Sequence, residues 1–428
     1  MRNAVRLCAV LLMIGAPALA ADPPADRGEY VARAGNCVAC HSVPDAPALS
    51  GGLKMATPLG AIYSTNITPD KETGIGNYTF EEFDAAMRKG VAKDGHRLYP
   101  AMPYPSYAKM NAEDMKALYD FIMKGVPAAK VANKPSEIPS PWNARWPIAI
   151  WNILFADDET YQAKADKDAA WNRGAYLVQG LGHCGACHTP RGIVFNEKGH
   201  DETDGDFLLG APLDNWSASN LRQDVNTGLG RWTKDDITKF LKVGHNKFGI
   251  AFGTMTEVVN NSTQYMTDAD VSAIATYLAS IPGGREGKAN PFTYNAATAD
   301  ALKAAKYEAP GAVTYAQQCM TCHLADGAGQ GEYLPPLAGN PVVADPSAAS
   351  LINIVLNGSQ AVVIDGMPDA YKMPQYRVLL DDQQVADVVS FMRSSWGNTA
   401  SKITATEVAE MRKATDPASD QVHILRMK

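Results

Sequence analysis

The chain has 428 residues, with 39 Lys and Arg against 46 Asp and Glu, 46% hydrophobic residues, 20% charged residues and seven Cys. At about 100–200 residues per domain the length accommodates roughly three domains, and the apolar share can fill cores, which excludes bulk disorder. The formal net charge of −7 provides no basic footprint, so nucleic acid is excluded as a partner.

In chain order, Arg2 and Arg6 flank the start of an apolar run over residues 7–14, and Ala18-Leu19-Ala20 has the small residues of a secretory cleavage site. Residues 1–20 therefore read as a signal peptide that takes Cys8 with it, leaving an exported chain beginning at Ala21. The run is well short of the ~20 residues of a membrane span, and no later stretch reaches ~18 uninterrupted apolar residues. Three- and four-residue apolar spacing predicts helices over 28–34, 112–124, 174–179, 268–280, 313–318, 348–356, 383–394 and 404–412. Thr79 with Glu82, Thr233 with Asp236 and Asp381 with Gln384 are capping boxes, and the first two open helices that end near Gly90 and Gly244. Residues 66–76 recur as residues 220–230, an internal repeat. Period-2 alternation is scarce. The fold class is all-α: three tandem units, at 22–130, 167–283 and 308–398, joined by linkers at 131–166 and 284–307 and followed by a tail at 399–428. In the first linker, residues 142–155 hold three Trp, one Arg and several aliphatics. That composition suits a membrane surface and equally a strip packed between domains or subunits.

The six remaining cysteines fall into one frame used three times: Cys37-Val38-Ala39-Cys40-His41, Cys184-Gly185-Ala186-Cys187-His188 and Cys319-Met320-Thr321-Cys322-His323. Two thiols three positions apart can form thioethers to the two vinyl groups of one porphyrin, and the next residue presents its imidazole to the iron. Structural disulfides would not require a His after each pair, zinc sites want four ligands from paired motifs, and no βαβ pattern supports a thioredoxin-like motif. The reading is three covalently bound haems c with His41, His188 and His323 as proximal ligands. Electron-transfer haems commonly take Met as sixth ligand. Position selects Met102, in Tyr99-Pro100-Ala101-Met102-Pro103, and Met255, in Gly253-Thr254-Met255. For the third haem Met367 and Met373 both precede Pro. Met373 is preferred because, as in the other two units, a helix start follows it closely.

Together with Gly28-Glu29-Tyr30, Tyr63-Ser64-Thr65-Asn66-Ile67-Thr68-Pro69-Asp70, Tyr99-Pro100-Ala101-Met102-Pro103, Gly182-His183-Cys184 through Arg191-Gly192 and Pro335-Pro336-Leu337-Ala338-Gly339-Asn340-Pro341, these motifs make the chain resemble the trihaem cytochrome c subunit of bacterial membrane-bound dehydrogenases, which act on alcohol, gluconate, fructose, sorbitol or glucose. The resemblance covers essentially everything after the signal peptide. It implies class I-like cytochrome c domains and a complex at the periplasmic face of the inner membrane. In that complex a separate flavin or PQQ catalytic subunit oxidises the substrate, a small third subunit accompanies it, and the cytochrome subunit passes electrons to ubiquinone. It also implies that residues 142–155 and the C-terminal tail lie against the membrane. A haem enzyme such as a peroxidase, with His96, His183, His200, His245 or His423 as distal group, and a free-standing electron shuttle are the alternatives.

Overall fold

The computed structural model describes residues 26–369 and 371–418. The expected signal peptide, Cys8, His423 and the end of the tail lie outside them.

Each Cys-x-x-Cys-His motif is bracketed by a leading and a closing helix that cross. Arg27–Ala34 packs on Ala112–Gly125, Ala169–Tyr176 on Asp268–Leu278, and Ala312–Gln318 on Asp382–Ser394. A glycine sits at each crossing. A Cβ on Gly28 would come within 2.3 Å of the Ala117 carbonyl oxygen, on Gly174 within 2.0 Å of that of Ala273, and on Gly311 within 2.3 Å of that of Asp387. Only a bare backbone allows the helices to approach so closely. The three anticipated capping boxes are formed, at Thr79, Thr233 and Asp381. Gly90 and Gly244 end the helices Phe80–Lys89 and Lys234–Val243 in the left-handed conformation. The repeat at 66–76 and 220–230 is one turn built twice. Ile75 N–H donates to the Thr68 carbonyl and Leu229 N–H to that of Arg222, while Asp70 and Asp224 each accept from two glycine N–H groups.

Among the described residues helix dominates, with four short antiparallel ribbons added: Lys54–Thr57 with Gly60–Tyr63, Ala211–Leu213 with Trp216–Ala218, His245–Asn246 with Gly249–Ile250, and Val363–Ile364 with Met367–Pro368. These are two to four residues long, too short for alternation to register in the sequence.

The cores do not follow the three motifs one to one, and a small cluster, Ala251, Val259 and Val362, joins the second unit to the third. One continuous core contains Tyr30, Val31, Met115 and Leu118 beside the first motif and Tyr176, Leu177, Val271 and Tyr277 beside the second. A separate core surrounds the third motif, around Tyr315, Leu356, Val389 and Trp396. It extends back to Ala299 and Leu302 and forward to Ile403 and Val408, so the helix Ala405–Ala414 is docked on it through Val408. Residues 147–155 form a helix, Pro147–Phe155, with no buried residue. Trp146 is 71% exposed and Ile153 84%. Among the described residues no helix is long and apolar enough to cross a membrane.

Candidate haem sites

The motifs themselves are single helical turns, Cys37–His41, Gly185–His188 and Met320–His323. One turn places residues i and i+3 on a common face with i+4 beside them, so both thiols and the imidazole address the same crevice. Asn36 and His183, at φ 49° and 37°, turn the chain into the first two motifs. All six described cysteines are free of disulfides. Burial pushes the Cys37, Cys184, Cys187 and Cys319 thiols up to about 12, so they are neutral groups against apolar walls.

The three histidines are held in one manner. Nδ1 of His41 lies 2.7 Å from the Thr65 carbonyl oxygen, that of His188 2.6 Å from Ser219 O, and that of His323 3.0 Å from Pro335 O. Nδ1–H donates to these carbonyls and Nε2 keeps its lone pair, the arrangement that orients a metal-bound imidazole. Burial also holds all three below the ordinary imidazole range, which favours the neutral, ligating form. Sequence reasoning did not single out the glycines that complete this arrangement. Gly51, Gly210 and Gly329, at φ 76°, 85° and 68°, donate N–H to the carbonyls of His41, His188 and His323 at 2.7, 2.7 and 3.2 Å. A Cβ there would strike the segment that receives Nδ1–H: Thr65 C at 2.4 Å, Ala218 O at 2.7 Å and Leu334 O at 2.0 Å. The glycines follow their histidines at unequal distances along the chain, so no fixed spacing exposes them.

The chosen methionines are placed as follows. An apolar cavity is lined by Cys184, Cys187, His188 and Met255 and runs on to Cys319, His323 and Met373. Met373 is tied to Ser359 in both directions, Ser359 N–H to Met373 O at 3.0 Å and Met373 N–H to Ser359 Oγ at 2.9 Å. Met367 is 75% exposed on a ribbon and does not line the cavity. Cys37 and Met102 pack against the first core, and the helix Tyr104–Tyr107 follows Met102 directly.

The residues present fit a haem. The cavity walls are largely aliphatic and aromatic, yet the buried indole N–H groups of Trp216 and Trp232 on them have no partner. A buried donor left unpaired costs about 1–3 kcal/mol, and propionate carboxylates at the rim of a porphyrin would satisfy both. Among the described residues no three His, Cys, Asp or Glu side chains converge to hold a bare metal ion. Iron carried within a macrocycle asks the protein for only the two axial groups. Of the spare histidines, His183 lines the cavity but places Nε2 3.2 Å from Gly35 O. His96 is bonded to Asp94.

The Cytochrome c family model matches residues 25–125 and 308–396. The gluconate 2-dehydrogenase cytochrome c subunit of Pantoea cypripedii is 50% identical over 418 residues, 95% of this chain and 94% of that one. The alcohol dehydrogenase (quinone) cytochrome c subunit of Gluconacetobacter polyoxogenes is 47% identical over 423 residues, covering 96% and 90%. The fructose dehydrogenase cytochrome subunit of Gluconobacter japonicus is 34% identical over 442 residues, covering 96% and 89%. With matches of that extent, the chain belongs to the family of cytochrome c subunits of gluconate, alcohol and fructose dehydrogenases.

Proposed function

We propose that this chain is the electron-transfer subunit of a dehydrogenase complex at the periplasmic face of the inner membrane, carrying electrons from a flavin or PQQ catalytic subunit to ubiquinone, with a small third subunit in the assembly. It holds three haems c in three cytochrome c domains, at 22–130, 167–283 and 308–398. They are attached at Cys37 and Cys40, Cys184 and Cys187, and Cys319 and Cys322, with axial pairs His41/Met102, His188/Met255 and His323/Met373. When bound, these groups supply reversible one-electron iron chemistry, tuned by a soft thioether that favours the reduced state. The protein's own part is orientation: Thr65, Ser219 and Pro335 hold the imidazoles, and largely apolar walls line the cavity at the second and third sites. No residue is assigned catalytic chemistry on an organic substrate. The surface helix Pro147–Phe155, with Trp151 within it and Trp142 and Trp146 just before it, is the seat on the membrane, its exposed Ile150, Ile153 and Leu154 suited to the acyl boundary.

The threefold recurrence of an imidazole locked through Nδ1 at a Cys-x-x-Cys-His turn carries this reading. Its test is the haem count of the chain matured with its catalytic partner. Cys319→Ala with Cys322→Ala is expected to lower covalent haem by one third, and the purified complex to reduce a ubiquinone analogue. Undiminished haem in the double variant would overturn the count, and substrate oxidation without quinone reduction the assigned acceptor.

A further inference from the structure

The first two haem-binding units are joined by a pair of hydrogen-bonded contacts that repeat each other with the units exchanged. Tyr30, on the first leading helix, donates its hydroxyl to Asp270 Oδ2 on the second closing helix at 2.6 Å. Tyr176, on the second leading helix, donates to Asp114 Oδ2 on the first closing helix, also at 2.6 Å. Each hydroxyl also accepts a backbone N–H from the N-cap of the helix it reaches, Thr267 for Tyr30 at 3.2 Å and Asn111 for Tyr176 at 3.3 Å. Each carboxylate is completed by an arginine of its own unit: Arg173 grips Asp270 through Nε and Nη2 at 2.8 and 2.7 Å, and Arg27 Nε meets Asp114 at 2.8 Å. Asp114 and Asp270 are only 3% and 8% exposed. A contact in which i meets j while j's counterpart meets i's is the signature of a two-fold interface, here made within one chain.

We propose that Asp114 and Asp270 are positioning residues, the two halves of a crossed clasp that locks the first and second haem sites into one rigid module and sets their spacing. The inference rests on the proposed haem occupancy of both sites. Three observations support a role beyond ordinary packing. The clasp spans the single core shared by these two units. The first motif's turn, Cys37–His41, packs on the helix Thr254–Asn261 that carries Met255, and the helix Tyr104–Tyr107 after Met102 packs on the turn Leu177–Leu181 that leads into Cys184. Movement of one unit on the other would therefore displace both crevices together. The third unit lacks the parts: counted from Gly311, Pro310 and Val313 stand at the positions of Arg27 and Tyr30, Gln384 stands at that of Asp114, and the nearby Tyr315 donates within its own unit, to Leu324 O at 2.7 Å.

The test uses the full, haem-loaded chain. Two haems held at fixed spacing and angle give a bisignate Soret circular dichroism signal. We expect Asp114→Asn with Asp270→Asn to keep the wild-type haem content and to lose most of that signal. Recording both proteins also with Cys319→Ala and Cys322→Ala removes any share due to the third site. Tyr30→Phe with Tyr176→Phe preserves volume and deletes only the crossing hydroxyls, so it decides the matter even where the double Asn variant does not fold, and the same loss is expected. Gln384→Ala is expected to leave the signal unchanged. Full haem content with an unaltered signal in the Phe variant would overturn the clasp alone, whereas a wild-type chain without haem at Cys37 and Cys184 would overturn the function on which it rests.

Discussion

At Met373 the backbone is held at both ends by Ser359, and Gly358, at φ 75°, comes so close that a Cβ there would sit 2.6 Å from the Met373 carbonyl oxygen. A residue whose backbone is held so firmly can present a ligand, since an axial thioether needs a fixed approach. Met367, though paired with Ile364 in its ribbon, is exposed and does not line the cavity. In redox titration Met373→Leu is expected to lower one of the haem potentials and leave the others near their values, because loss of a neutral sulfur favours the oxidised iron. Met367→Leu is expected to change none. The opposite pattern would transfer the assignment to Met367.

At the scale of elements, the helix crossings combine a glycine contact with buried charge. Asp270 caps no helix end; it lies in the first turn of Asp268–Leu278 and is shared by Arg173 and Tyr30. Burial opposes its ionisation, but pairing with Arg173 and the hydroxyl of Tyr30 outweigh this and hold the carboxyl below the ordinary range. A group depressed on folding contributes stability that is present above its unfolded pKa, about 3.9 for Asp, and lost as pH falls through its folded pKa. The urea midpoint of the wild-type chain should therefore fall below about pH 4 more steeply than that of Asp270→Asn. Parallel pH profiles would mean that the carboxylate contributes no such stability. The same helices show how far local pattern reaches. Thr79, Thr233 and Asp381 were legible as caps because a capping box is complete within four residues, and most helix ends fell within a residue or two of expectation. The second leading helix did not. It starts at Ala169 and runs into a π-helical turn, Leu177–Leu181, whose backbone is set by burial of Leu177, Val178 and Leu181 against the shared core.

For the whole molecule, two large cores imply two cooperative units, linked through the small cluster of Ala251, Val259 and Val362. Leu356 is fully buried in the third-motif core, and Leu356→Ala is expected to cost about 2–5 kcal/mol. In guanidinium unfolding followed by hydrogen exchange of peptides from each unit, that loss should shift the transition of the third unit while the first two stay together. A uniform shift in all three units would show that the molecule unfolds as one.

What the sequence determined by itself was the chemistry and its local frames. Cys-x-x-Cys-His is a single helical turn, caps need only their own four residues, and the repeat at 66–76 and 220–230 closes its turn with its own backbone. Such features are short-range, so composition and spacing suffice to reveal them. The tertiary structure decided the rest: which carbonyl fixes each imidazole, that Gly51, Gly210 and Gly329 admit that carbonyl, that the tail helix docks on the third core, and that Tyr30 and Tyr176 reach across to carboxylates in each other's unit. Those contacts join residues separated by varying lengths of loop. Loop length costs little free energy, since each doubling adds only about 0.6 kcal/mol of closure entropy. It therefore imposes no fixed spacing, and only packing of the folded chain selects the partners.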